Sequence, residues 1–160
     1  MNTLKSMDPQ VLRALINSTL SPIGLYSLNA EELLMATCAN ESNLGMYRTQ
    51  GNGGPARGIF QMEGATHDDI WHNYIAYHSD LTANLHKLSS LCTANDMINN
   101  DPYAVAMCRV HYLRGRGALP DSTDLEGIWA YYKLHYNTPQ GAATHDEFII
   151  KYHKYVADSN

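Results

Sequence analysis

Basic residues are scarce in this chain: 11 Lys plus Arg stand among 160 positions against 16 Asp plus Glu, for a formal net charge of −5. They are scattered, so no basic stripe is available to track phosphates, and nucleic acid is not an expected partner. No stretch approaches the length of a membrane span. Met1 to Gln10 carries one Lys and no apolar run ahead of a small-residue cleavage site, so it does not read as a signal peptide, and synthesis in the cytoplasm is expected. Cysteine is sparse and odd in number. Cys38, Cys92 and Cys108 each fall in an apolar helical pattern, which reads as buried free thiols of a reducing compartment, with one disulfide pair as the alternative. His-x-x-x-His and Cys-x-x-Cys are absent. Asp68 and His72 share a helix face at i, i+4 without a close third ligand, so neither a metal nor another cofactor is expected, and the histidines read as surface or hydrogen-bonded residues. Gly-x-Ser-x-Gly is absent too, and Ser42 has no His and Asp in triad order, which argues against an esterase or peptidase.

What is abundant is tyrosine, 11 residues against 2 Phe and 2 Trp. A flat ring with a polar tip suits a sugar-binding groove, and packing at the core edge accounts for the same residues. Met62, Trp71, Tyr74 and Tyr77 have both readings, an aromatic wall or plain helix packing. The length matches one domain, residues 1–160, large enough for a core without disulfide or metal staples, and a monomer is expected. No repeat, low-complexity tract or linker interrupts it.

Helical spacing dominates, with readable start signals. Asp8-Pro9 opens a first helix, Ser21-Pro22 a short second, and Asn29 with Glu32 forms a capping-box-like start for the next. Gly45 to Gly58 holds five glycines and a proline and reads as a loop or small hairpin. Thr66 is expected to start a helix through Trp71, Tyr74 and Tyr77 with Asp68 and Asp69 in its first turn. Further starts fall at Ser79, Asp101-Pro102, Thr123 with Glu126, and Thr144 with Glu147. The expected fold is mainly α, about seven helices around one glycine-rich segment.

Leu34, Cys38 and Glu41 stand at i, i+4 and i+7, so a core-facing stripe ends in a carboxyl group. Desolvation there favours the neutral acid and would let it donate a proton near neutral pH, as glycosidic cleavage requires. A fraying, exposed helix end is the alternative. Glu41-Ser42-Asn43-Leu44-Gly45, then Ala56-Arg57-Gly58-Ile59-Phe60-Gln61-Met62 and Thr66, resembles the catalytic core of the soluble lytic transglycosylases and related goose-type lysozymes. Twenty positions separate Glu41 from Gln61, the spacing at which that family sets its helix-ending Glu-Ser and its Gly-(Leu/Ile)-(Met/Phe)-Gln strand. Tyr136-Asn137-Thr138-Pro139-Gln140-Gly141 looks like a variant of the family's Ala-Tyr-Asn-(Ala/Gly)-Gly-Pro turn. The resemblance spans roughly residues 29–155.

The resemblance implies a lysozyme-like fold whose glycine-rich loop or hairpin lines the cleft. It also implies cleavage of peptidoglycan glycan strands, with Glu41 as general acid, Ser42 and Gln61 orienting it and the sugar, and Tyr136 and Asn137 lining the cleft. Gly58 has two readings, close approach of a sugar ring to the backbone or a turn glycine. Met62-Glu63 and Thr138-Pro139-Gln140 depart from the family's Met-Pro and Ala-Gly-Pro, so both turns are expected to be shaped differently. An ordinary glycosidase needs a second carboxylate, and between Glu41 and Glu63 there is none. The hairpin offers Arg48, Gln50, Asn52 and Arg57 instead. That favours the family's one-acid mechanism and a 1,6-anhydro product. Three alternatives stay open: a hydrolytic lysozyme or chitinase-like endolysin with Glu63, Asp68 or Asp69 as the partner, a silent glycan-binding module, and a virion structural module. By analogy with phage-encoded wall enzymes, action on the bacterial cell wall is expected, either after release or from a particle.

Overall fold

The computed structural model describes residues 4–157, so the first three residues of the segment read for an export signal lie outside the described residues. Among the described residues there are eight α-helices and one two-stranded antiparallel ribbon. None of these helices is long and apolar enough to cross a membrane.

Helix α1, Pro9–Leu20, starts as its sequence implies: Asp8 accepts from the Gln10 amide at 2.8 Å and proline fills the first turn, where its missing N–H costs nothing. A 3-10 turn, Ser21–Ile23, closes on Gly24. Helix α2, Leu28–Ser42, is capped by Ser27, whose hydroxyl accepts from the Ala30 amide at 3.0 Å. Asn29, expected as the cap, lies inside the helix, and its Oδ1 accepts instead from the Ser122 amide at 2.8 Å. A side-chain bond to a residue far along the chain is invisible to a local capping pattern.

Helix α2 is the axis of the molecule. Every residue from Ala30 to Ala39 is buried, with α1, α6, α7 and α8 packed around it, so it carries no one-sided apolar stripe. Leu34 and Cys38 are both fully buried. Glu31 and Glu32 share this interior, where an unpaired carboxylate would be costly. Arg13 meets both, at 2.9 and 2.6 Å, while the Tyr26 hydroxyl donates to Glu31 at 2.9 Å and the Tyr152 hydroxyl to Glu32 at 2.5 Å. The helix ends where Asn43 and Leu44 turn left-handed, at φ 53° and 57°.

The glycine-rich segment folds as a small ribbon: β1 (Ala56–Arg57) pairs with β2 (Met62–Glu63), with Ala56 opposite Glu63 and Arg57 opposite Met62. Gly58-Ile59-Phe60-Gln61 is therefore the connecting turn rather than a strand. Burial of Ile59 and Phe60 holds it, and Gly58 and Gln61 take positive φ, 80° and 48°. Arg48 anchors the ribbon to the start of α6 through two bonds to Asp101, at 2.6 and 2.9 Å.

Helix α3, Gly64–Asn73, starts two residues before Thr66 and stops short of Tyr74, so Asp68 and Asp69 fall beyond its first turn and Tyr77 lies in a separate 3-10 turn. Helices α4 (Ser79–Leu88) and α5 (Asp96–Asn99) follow. Cys92 sits between them in a non-helical segment with φ 52°, which corrects its assignment to a helical pattern. All three cysteines are free, with Cys38 and Cys108 buried and Cys92 partly so. Helix α6 (Asp101–Leu113) leads to α7 (Leu125–Tyr132), capped by Asp124 rather than Thr123, whose hydroxyl is held by Asp121 at 2.6 Å. A wide π-helical turn, Lys133–Asn137, extends α7, and α8 (His145–Tyr152) begins at Thr144 as its sequence implies. The buried apolar side chains form one cluster running from Leu12 to Val156.

Candidate active site

Where the end of α2 meets the ribbon and the π-turn after α7, a groove of about 320 Å³ opens. Its lining comes from five places in the chain: Glu41 from α2, Gln61 to Glu63 from the ribbon, Thr66 from α3, His111 from α6, and Tyr136 to Thr138 from the end of the π-turn and the residue after it.

Glu41 is the one acid of this groove that is held from behind. The Tyr132 hydroxyl accepts from Asn40 Nδ2 at 2.9 Å and donates to Glu41 Oε2. Because the phenol's single proton points at Oε2, that oxygen acts as an acceptor, and a proton on the neutral acid belongs to Oε1. No described residue hydrogen-bonds Oε1. Burial pushes the Glu41 carboxyl up from 4.5 to about 7, against the opposing effects of the Tyr132 bond and the positive charge of Lys151. Lys151 is itself fixed by Asn40 O and Glu147, each at 3.2 Å. A carboxyl group at this level holds its proton near neutral pH and can give it up to a bound ligand, the property of a general acid.

Gln61 is pinned by its own turn. Nε2 donates to Gly58 O at 2.9 Å, which leaves Oε1 without a partner among the described residues. Tyr136 donates to Phe60 O at 2.6 Å and stacks between Tyr112 and Tyr132, with centroids at 5.3 and 5.9 Å. This tie joins the π-turn to the ribbon, so the two walls of the groove are set by one hydrogen bond and one ring stack. Asn137 accepts from Lys133 Nζ at 2.8 Å, and the same ammonium reaches Gly141 O at 2.8 Å and Ala143 O at 3.0 Å. One lysine thereby shapes the Thr138 to Ala143 loop, and the Asn137 amide lies toward the Tyr132 hydroxyl, where it stabilises the phenol oxygen.

Four of the six residues proposed from sequence thus meet in the groove: Glu41, Gln61, Tyr136 and Asn137. Ser42 and Gly58 do not line it. Ser42 is buried, donating to Ile59 O at 2.6 Å and accepting from the Gly45 amide at 2.8 Å, so it fastens the helix end to the ribbon turn. Gly58 is buried, and a Cβ there would stand 2.3 Å from the Met97 carbonyl oxygen. Its φ of 80° and this close approach are those of a turn glycine. Of the suggested aromatic wall, Met62 lines the groove, whereas Trp71 and Tyr74 pack on the core and Tyr77 is exposed.

Asp68 bonds His67, and Asp69 bonds Arg114 and Asn73, so both are engaged outside the groove. Among the described residues no group of three His, Cys, Asp or Glu is placed to hold a metal. Sequence reasoning missed Tyr132 and His111. For Tyr132 a signal existed: it precedes Tyr136 by four residues, so a helical reading puts both rings on one face. His111 offered none, because its role depends on which helices pack beside it. No family model, curated protein or solved structure matches this chain.

Proposed function

We propose that the chain cleaves the β-1,4 bond between N-acetylmuramic acid and N-acetylglucosamine in peptidoglycan, on a lysozyme-like fold, with Glu41 as the single catalytic carboxyl group. The observation that carries this reading is the pairing of a desolvated Glu41, its carboxyl raised to about 7, with an open groove edged by Gln61, Tyr136 and Asn137. Glu41 gives its Oε1 proton to the leaving sugar's O4 as the C1–O4 bond breaks. The substrate's N-acetyl carbonyl oxygen bonds to C1 in its place. Glu41, now a carboxylate, then takes the proton of the same sugar's 6-hydroxyl, whose oxygen displaces the amide oxygen from C1 and closes a 1,6-anhydro ring. The protein acts as a monomer on the wall of a bacterium, as a phage-encoded lytic transglycosylase.

One observation favours a second reading, hydrolysis. Glu63 lines the same groove, exposed and without a hydrogen-bonding partner among the described residues. A carboxylate there would activate water instead of leaving the 6-hydroxyl as the nucleophile.

The test is digestion of purified sacculi by the unsubstituted chain and by Glu41→Gln. Gln keeps the shape of the acid and cannot deliver a proton, so the loss should be at least about 10²- to 10⁴-fold. Muropeptides lacking a reducible end are expected. Reducing ends that disappear in Glu63→Gln would convert the assignment to hydrolase, and full activity of Glu41→Gln would defeat both readings.

A further inference from the structure

His111 is half-buried, and its Nδ1 is the one buried side-chain nitrogen or oxygen among the described residues that finds no hydrogen-bond partner. It lies near the end of α6, in the wall between the Glu41 groove and a second cavity of about 290 Å³ lined by Arg114, Gly115 and His135. Its ring is held edge-on by Tyr136, with centroids 5.0 Å apart and planes at 73°, and Tyr136 is itself fixed to Phe60. No protein group in the described residues bonds Nε2 either, and Nε2 is not enclosed as Nδ1 is. Burial first, then the positive charges of Arg114 and His135, hold the imidazole down to about 4, against the opposing charge of Asp69. The ring is therefore neutral under ordinary conditions and carries one N–H. A buried N–H without an acceptor is rarer and costlier than a bare lone pair, which puts the proton on Nε2.

A rigid, neutral donor with no protein partner, beside an acid whose Oε1 is also unpartnered, is a group set for a ligand. We propose that His111 is a substrate-positioning residue: its Nε2–H donates a hydrogen bond to the carbonyl oxygen of an amide substituent on the glycan, at the end of the groove that meets the second cavity. This rests on the glycan reading above. An uncharged donor suits such an oxygen, the strongest neutral acceptor on an N-acetylated sugar. Gln61 Oε1, unpartnered among the described residues, supplies the complementary acceptor from the ribbon.

The test uses the full chain carrying Glu41→Gln, so that binding is measured without cleavage, with the N-acetylglucosamine hexamer as probe in calorimetry. Adding His111→Phe keeps the ring against Tyr136 and removes the donor. Affinity is expected to fall about fivefold to tenfold, the usual worth of one hydrogen bond, with Tm held within a few degrees. His111→Gln, which offers an amide donor, is expected to recover most of the loss, a rescue that a packing role would not produce. His111→Leu replaces the Phe variant if that protein fails to fold. Unchanged affinity in the apolar variants, or an equal loss in His111→Gln, overturns the His111 proposal alone. Absence of binding by the Glu41→Gln chain to both hexamer and purified sacculi overturns the glycan reading with it.

Discussion

The Tyr132 hydroxyl donates its only proton to Glu41 Oε2, joining two residues 91 positions apart. The Asn40 amide, next to Glu41 on its own helix, donates to the same hydroxyl at 2.9 Å and favours this direction of the bond. The arrangement steadies the acid from the protein side and leaves Oε1 to the groove.

That bond has a kinetic consequence. Glu41 must be protonated to act as an acid, and burial places its midpoint at about 7, so kcat/KM is expected to fall as pH rises through about 7. The Tyr132 bond and the Lys151 charge both lower this midpoint. Tyr132→Phe should move the descending limb to higher pH, and Lys151→Met should do the same. A limb that stays in place in both variants, followed by release of soluble muropeptides, would detach it from Glu41.

Stability should carry the same signature with a definite sign. The folded value of Glu41 lies above its ordinary 4.5, so between 4.5 and about 7 the folded chain keeps a proton that the unfolded chain has released. Stability from this group is complete below that window and is lost as pH rises through it. Glu41→Gln has no such loss. Its Tm is expected to match that of the unsubstituted protein at pH 4 and to exceed it at pH 8 by on the order of 5 °C. Parallel melting curves at both pH values decide it.

Asn137 has two jobs, and two variants separate them. Oδ1 accepts from Lys133, which also shapes the loop to Ala143, so Asn137→Ala is expected to lower Tm as well as turnover. Asn137→Asp keeps the acceptor for Lys133 while removing the NH₂ donor. Retained Tm and an unmoved pH limb, with turnover reduced about tenfold or more, would assign the amide to the ligand rather than to the Tyr132 hydroxyl. Retained turnover would leave Asn137 a purely structural residue.

Gly58 separates turn geometry from ligand approach. Its φ of 80° and a Cβ position 2.3 Å from the Met97 carbonyl oxygen make Gly58→Ala strained in backbone and side chain alike. A destabilisation of about 2–4 kcal/mol is expected by denaturant titration. Native stability with selective loss of glycan affinity would return Gly58 to the binding surface.

Much of the helical framework was legible because helix starts are local. Asp8-Pro9, Asp101-Pro102 and Thr144 with Glu147 satisfy or remove orphan amides within one turn, and each marks a start in the structure. The reading failed where a local pattern competed with a distant partner. Asn29 serves Ser122 across the chain, and Thr123 yields its capping place to Asp124 because Asp121 holds it. Ser42, read from its motif position as orienting Glu41 and the sugar, and Gly58, for which close approach of a sugar was one of two readings, are both buried.

The chain's order of residues determined, by itself, that a buried helical stripe ends in the Glu41 carboxyl group, since spacing and residue type are properties of the linear chain, while Gln61, Tyr136 and Asn137 were reached through a resemblance of motifs. Only the tertiary structure decided that Tyr132 holds Glu41, that Tyr136 ties the π-turn to Phe60, and that His111 borders the same groove with no protein partner. The physical reason is that a proton's affinity and a donor's availability depend on what surrounds a group in space. Desolvation and hydrogen bonding at Glu41 are supplied by helices that meet only after the chain has packed.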